Sequence, residues 1–190
     1  AHPALDRNGE AAETYPPALL LRENYPAAYN HLASVLRDRD QIIEAEHAYR
    51  KAISLRPTYL EAYNNLAAML GDHDRVDDAL RVLGEALAID GTHVPTLLQV
   101  ARTQLGKGNT TPAEQAARLA LQQDPVIAES YVVLGQVLHE TDRYMEALTA
   151  YEKALSFDPE LPEAYNFYGI CLKSLGRLDD SKAAFTKVLE

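Results

Sequence analysis

Tryptophan is absent from this 190-residue chain, and cysteine occurs once, as Cys171. A lone thiol excludes an internal disulfide framework and any metal centre built from several cysteines. No stretch approaches the roughly 18 unbroken apolar residues that a membrane-crossing helix needs, so a soluble chain that does not insert into bilayers is expected. Cations are also scarce: 18 Lys+Arg stand against 28 Asp+Glu, a formal charge of −10. Such a surface repels phosphates, which argues against nucleic acid and anionic membranes as main partners and favours proteins or basic peptides. The first residues lack a charged stretch followed by an apolar one, so a targeting segment is expected to be absent or already removed. Composition does not fix the compartment; cytoplasm is preferred to periplasm. Leucine and alanine are plentiful, which favours helix over strand.

A fixed period dominates what is present. Tyr29, Tyr63, Leu97, Tyr131 and Tyr165 are 34 residues apart, as are Leu32, Leu66, Val100, Leu134 and Tyr168. Ala33, Ala67, Ala101, Gly135 and Gly169 follow one residue later, where small side chains let a neighbouring helix approach closely. Further along run Ala45, Ala79, Ala113, Ala147 and Ser181, then Tyr49, Leu83, Ala117, Tyr151 and Phe185, then Ala52, Ala86, Ala120, Ala154 and Val188. Spacings of four and three mark one face of a helix. Pro57, Pro125 and Pro159, with Gly91 in the equivalent place, stop each unit. Each unit therefore reads as a helix pair.

These columns resemble the tetratricopeptide repeat, with Tyr131, Leu134, Gly135, Leu138, Ala147, Tyr151, Ala154 and Pro159 as the fullest copy. The resemblance implies an all-α, right-handed solenoid of stacked helix-turn-helix units, a superhelix in which each hairpin covers its neighbour's apolar face. The units are expected at 26–59, 60–93, 94–127, 128–161 and an incomplete 162–190. Residues 1–25 read as the remnant of a preceding unit, broken at Pro16-Pro17. The chain is expected to be a fragment of a larger protein, with the last helix, including Phe185 and Val188, left uncovered and prone to pair with another copy.

Unit three departs most from the pattern, with Leu97, Val100, Gln104 and Ala117 in place of larger or aromatic residues, and is expected to have a thin core and to open first. Its loop Gly106 to Pro112 lacks the order of a phosphate-binding loop, and Thr111, Pro112 and Glu114 read as a capping box. Gly84, inside a helix, calls for a reason such as close packing.

No catalytic constellation emerges. His31, His47, His73, His93 and His139 are dispersed without metal-ligand spacing, Asp72-His73-Asp74 occupies a turn, and Cys171 reads as a packed thiol. The pairs Asp77-Asp78 and Asp179-Asp180 start second helices, where the dipole favours them. The expectation is a protein that is not an enzyme, with no cofactor and no metal.

What remains is a surface. The resemblance implies that first helices line a concave groove that takes a protein or peptide. Beside the tyrosine column stand Asn30, His31, Ser34 and Arg37, then Asn64, Asn65 and Ala68, then Leu98, Gln99 and Arg102. Val132, Val133 and Gln136 follow, and finally Asn166, Phe167, Ile170 and Lys173. Some of these must instead face the neighbouring helix. The first two units offer amides for a peptide backbone; the last three suit an apolar anchor flanked by a carboxylate. The cations with which relatives clamp chaperone carboxylate tails are missing. Asn30, Asn64 and Asn65 look like the asparagine-lined groove of O-linked sugar transferases, interrupted here by Val133 and Phe167. A protein-interaction scaffold is the expected function. The alternatives are the substrate-docking arm of a larger enzyme such as a glycosyltransferase, and an architectural module that self-associates through its terminal helices.

Overall fold

A computed structural model describes residues 25–189; the expected remnant broken at Pro16-Pro17 lies outside the described residues. Ten helices and no strand occupy them. The first pair is α1 (Pro26–Asp38) and α2 (Ile42–Leu55), followed by α3 (Leu60–Asp72) and α4 (Val76–Ile89), then α5 (Val94–Gly106) and α6 (Thr110–Gln123). The last two are α7 (Ala128–Glu140) with α8 (Tyr144–Phe157) and α9 (Pro162–Ser174) with α10 (Leu178–Leu189). Two compact units are present, one ending at Leu66 and the other starting at Ala67, the division falling within α3.

In the smaller unit the columns of small residues do what their spacing predicts. Ala33, Ala45, Tyr49 and Ala52 are wholly buried between α1 and α2. Ala52 continues into a cluster with Tyr59 and Ala62 at the start of α3, against which Tyr29 and Ile53 pack.

In the larger unit one continuous core runs through Leu97, Ala101, Ala117, Leu134, Leu138, Ala147, Tyr151 and Leu172. First helices pack on the next first helices, α5 on α7 and α7 on α9, in addition to their own second helices. The buried residues of α6 are alanines alone, Ala113, Ala116, Ala117 and Ala120, which gives the third hairpin its expected thin interior. Gly135 and Gly169 face the second helix of their own hairpin: a Cβ on Gly135 would overlap the Tyr151 ring, and one on Gly169 would stand 2.9 Å from Phe185 Cε1. Phe185 is thus half-buried against its own hairpin, and Val188 is half-buried too.

The tyrosine column has a common role at two of its positions. Tyr63 Oη donates to the carbonyl of Pro57 (3.1 Å) and Tyr131 Oη to that of Pro125 (3.0 Å), latching a first helix to the loop before it.

The turns inside the hairpins share a backbone feature that the side-chain columns did not reveal. Asp40, Asp74, Gly108, Asp142 and Gly176, spaced by the same period, all have φ between 58° and 81°. The next residue's N–H reaches back 2.9 Å to a carbonyl five positions earlier, as Gln41 does to Leu36 and Arg143 to Leu138. This is a left-handed cap that satisfies otherwise orphaned helix carbonyls, and aspartate tolerates it better than most non-glycine residues.

Two expectations need correction. Thr111 is not a cap: α6 starts at Thr110 after Asn109, which makes no side-chain cap bond, and Glu114 turns instead to Arg118 and Arg143. Gly84 has no close-packed neighbour; it is exposed, and nothing lies within 4 Å of where its Cβ would be.

Ser130 is wholly buried, and its hydroxyl has no hydrogen-bond partner among the described residues. The same column holds Ala28, Ala62 and Ala164. A buried, unpaired hydroxyl costs about 1–3 kcal/mol, so Ser130→Ala is expected to raise the unfolding free energy by about 1 kcal/mol in urea denaturation.

Candidate functional site

The asparagines of the smaller unit are engaged with one another. Asn30 is only 5% exposed; its Nδ2 donates to Glu61 Oε1 (3.0 Å) and Tyr59 Oη (3.4 Å), and its Oδ1 accepts from Asn65 Nδ2 (3.1 Å). Tyr59 Oη donates to Glu61 Oε2 (3.3 Å), while the Arg56 guanidinium lies 4.2 Å from the Tyr59 ring centre. Burial, then the charge of Glu61, raises the Tyr59 pKa. Ser34 Oγ donates to the carbonyl of Asn30 (3.2 Å), which leaves it to accept from Tyr49 Oη (3.1 Å). Arg37 pairs with Asp38 (3.2 Å), and Asn64 is half-buried. The amide ladder read as a backbone-binding strip is therefore largely an internal network, which orients Glu61.

In the larger unit the first helices form a cavity of about 530 Å³. Arg102, Leu105 and Gly106 come from α5, Gln136, His139 and Glu140 from α7, Phe167 and Ile170 from α9, and Tyr151 from α8. Four expected residues, Arg102, Gln136, Phe167 and Ile170, are thus brought together. Asn166 and Lys173 are exposed on α9. Leu98 and Val132 are corrections: they are 2% and 0% exposed, sealed in the core, as is Val133. The reason is position along the helix. Residues i and i+4 share a helix face, so 98 and 102, like 132 and 136, point the same way, and they differ in depth: 98 and 132 are sealed where first helix packs on first helix, while 102 and 136 lie one turn further along, at the cavity.

Arg102 is not a free cation. It contacts Glu129 (2.5 Å) and Glu163 (3.6 Å). His139 Nε2 is 3.1 Å from Ser174 Oγ, and its ring meets Tyr144 edge-on with centroids 5.1 Å apart.

Tyr151 was assigned to the core by its column, and its contribution to the cavity went unseen. The residue is 1% exposed, stacks on Phe167 with centroids 6.4 Å apart, and lines the cavity. No group among the described residues hydrogen-bonds its hydroxyl, and burial pushes its pKa far above the ordinary value. Leu105, His139 and Glu140 were missed as well. The signal that could have found them is their place one and two turns beyond the expected residues on the same helix face.

Cys171 is buried, donates from Sγ to the carbonyl of Tyr144 (3.3 Å), and has a pKa raised by burial, the condition of an inert thiol. No group of three or more His, Cys, Asp or Glu that could hold a metal ion occurs among the described residues. No helix among them is long and apolar enough to cross a membrane.

Family models agree with this architecture: tetratricopeptide-repeat models match residues 27–56 and 48–81, and a TPR-repeat model matches 135–176. The chain is a tetratricopeptide-repeat protein. Among curated proteins it is 32% identical over 87 residues to the CTR9 homolog of Arabidopsis thaliana, covering 45% of this chain and 8% of that one. The chain spans less than a quarter of the length of the curated relatives it matches. TTC0263, a thermophilic TPR protein of Thermus thermophilus, is similar in structure, with a TM-score of 0.76 at 20% identity over 87% of this chain and 90% of that one. YrrB, a TPR protein with an unusual peptide-binding site, gives a TM-score of 0.62 at 16% identity, covering 94% of this chain and 92% of that one. At these identities the likeness extends to the fold. Tetratricopeptide-repeat proteins are in general protein-interaction scaffolds rather than enzymes.

Proposed function

We propose that this chain is a non-enzymatic scaffold module that binds an extended peptide segment across the first helices of its larger unit. The observation that carries the reading is the cavity in which Phe167, Ile170 and Leu105 offer apolar surface beside the polar groups of Arg102, Gln136 and His139. Such a mixture suits a peptide with one buried anchor. A peptide-binding site is also what distinguishes YrrB, a protein of this fold.

The test is selection from a phage-displayed library of random dodecapeptides. Sequences enriched on the wild-type chain are expected to bind a folded Phe167→Glu/Ile170→Glu variant at least about tenfold more weakly, because charge on the apolar wall must be desolvated when a ligand enters. Val132 is unsuitable for this purpose, since a carboxylate there would disrupt the core. Equal binding to both forms would refute the reading.

A further inference from the structure

We propose that the segment taken by this cavity carries an apolar side chain flanked by lysine or arginine, and that one of its main-chain carbonyls accepts a hydrogen bond from Tyr151. This rests on the peptide reading above and reverses the carboxylate partner that Arg102 suggests from sequence alone.

The rim supplies the first argument. Arg102, with its side chain 32% exposed, is already held by Glu129 and Glu163, whose side chains are 49% and 42% exposed. Glu140, 62% exposed, lies at the cavity itself. Three carboxylates thus face solvent around one engaged guanidinium and Lys173, and an incoming cation finds acceptors that an incoming carboxylate does not. The distribution of charge is the second argument. Residues 25–66 hold five cations and five anions, whereas residues 67–189 hold 11 Lys+Arg and 18 Asp+Glu, a balance of −7. The acidity of the chain is concentrated in the unit that holds the cavity, and it would steer basic segments toward it.

Tyr151 supplies the third. Its counterpart Tyr49 meets Ser34, two side-chain oxygens 3.1 Å apart. At the position of Ser34 the fourth hairpin carries Gln136, which does not bond Tyr151. Gly135 allows the Tyr151 ring to lie against α7, and the ring stacks on Phe167. The Tyr151 hydroxyl has no partner among the described residues and stands where the cavity opens, so an acceptor that enters can reach it. An extended peptide presents a carbonyl at every residue.

The same dodecapeptide selection decides the matter. On the wild-type chain, apolar residues are expected to be flanked by Lys or Arg at least about three times as often as by Asp or Glu. For Glu140→Lys/Glu163→Lys, both surface positions, that preference should vanish or invert. Selected peptides should bind Tyr151→Phe at least about threefold more weakly, although this variant melts no lower than wild type. Acidic or uncharged flanks, unchanged flanks from the charge-reversed variant, undiminished binding to Tyr151→Phe or a lower melting temperature for it would each overturn the proposal while leaving a peptide groove in place. No enrichment at all, or enrichment that survives Phe167→Glu/Ile170→Glu, would remove the groove reading with it.

Discussion

Gly135→Ala is expected to lower the unfolding free energy by about 2 kcal/mol, whereas Gly84→Ala raises it by about 1 kcal/mol. Both glycines lie inside helices, where alanine is favoured over glycine by roughly 1 kcal/mol. Gly84 has open space where its Cβ would stand, so the helix preference is realised in full. At Gly135 the new methyl group would stand 2.7 Å from Tyr151 Cζ, closer than atoms pack; displacing a buried ring this far belongs at the upper end of the overpacking range, about 3 kcal/mol, which leaves a net loss of about 2 kcal/mol after the helix preference. The first hairpin has Ala33 at the same column position, wholly buried like Tyr49, whose hydroxyl there meets Ser34, so alanine is accommodated in that hairpin. Urea denaturation of Gly135→Ala/Tyr151→Leu checks the cause: the double variant should be no less stable than Tyr151→Leu alone, the non-additivity expected of residues in contact. Equal losses from Gly135→Ala in both backgrounds would remove the ring as the reason.

Tyr49→Ala is expected to have the larger effect, about 3–5 kcal/mol, the range for deleting a fully buried aromatic side chain. Tyr49 is the largest wholly buried side chain of a small unit whose other interior residues in α1 and α2 are mostly alanine. Amides of α1 and α2 should therefore exchange far faster in the variant than those of α7 and α8. Tyr49→Phe retains the packing and loses only the contact with Ser34, at about 1 kcal/mol. Protection of α1 that remains undiminished in Tyr49→Ala would show that the ring does not hold this unit together.

Periodicity made the fold legible because each column reports a repeated packing environment. Tyr63 and Tyr131, far apart in sequence, make the same bond to a proline carbonyl six residues back. The small residues at 135 and 169 face the aromatic residues at 151 and 185, as paired columns suggest. The cavity was legible only in part, for a physical reason. A column says that a position is equivalent between hairpins, and does not say how far along one helix face the neighbouring helix covers it. Val132 and Gln136 lie four residues apart on α7, one sealed and one lining the cavity. A clearer sign was the run of apolar residues at 98 and 132, which reads as core once the contact of first helix on first helix is known. Arg102 was misread because its partners come from other hairpins, and no local spacing announces Glu129 or Glu163. Glycine does not announce the left-handed turns either, since three of the five, at positions 40, 74 and 142, are built on aspartate.

The tyrosine latch has a practical corollary for construction. Since Tyr131 finds its acceptor at Pro125, only six positions upstream, a cassette one period long carries either the donor or the acceptor that its neighbour supplies. A second copy of residues 128–161 spliced in after Pro159-Glu160-Leu161 would present its own tyrosine to a proline at the same offset. The array could then be lengthened by whole modules without redesigning a joint, in the way a zip gains teeth.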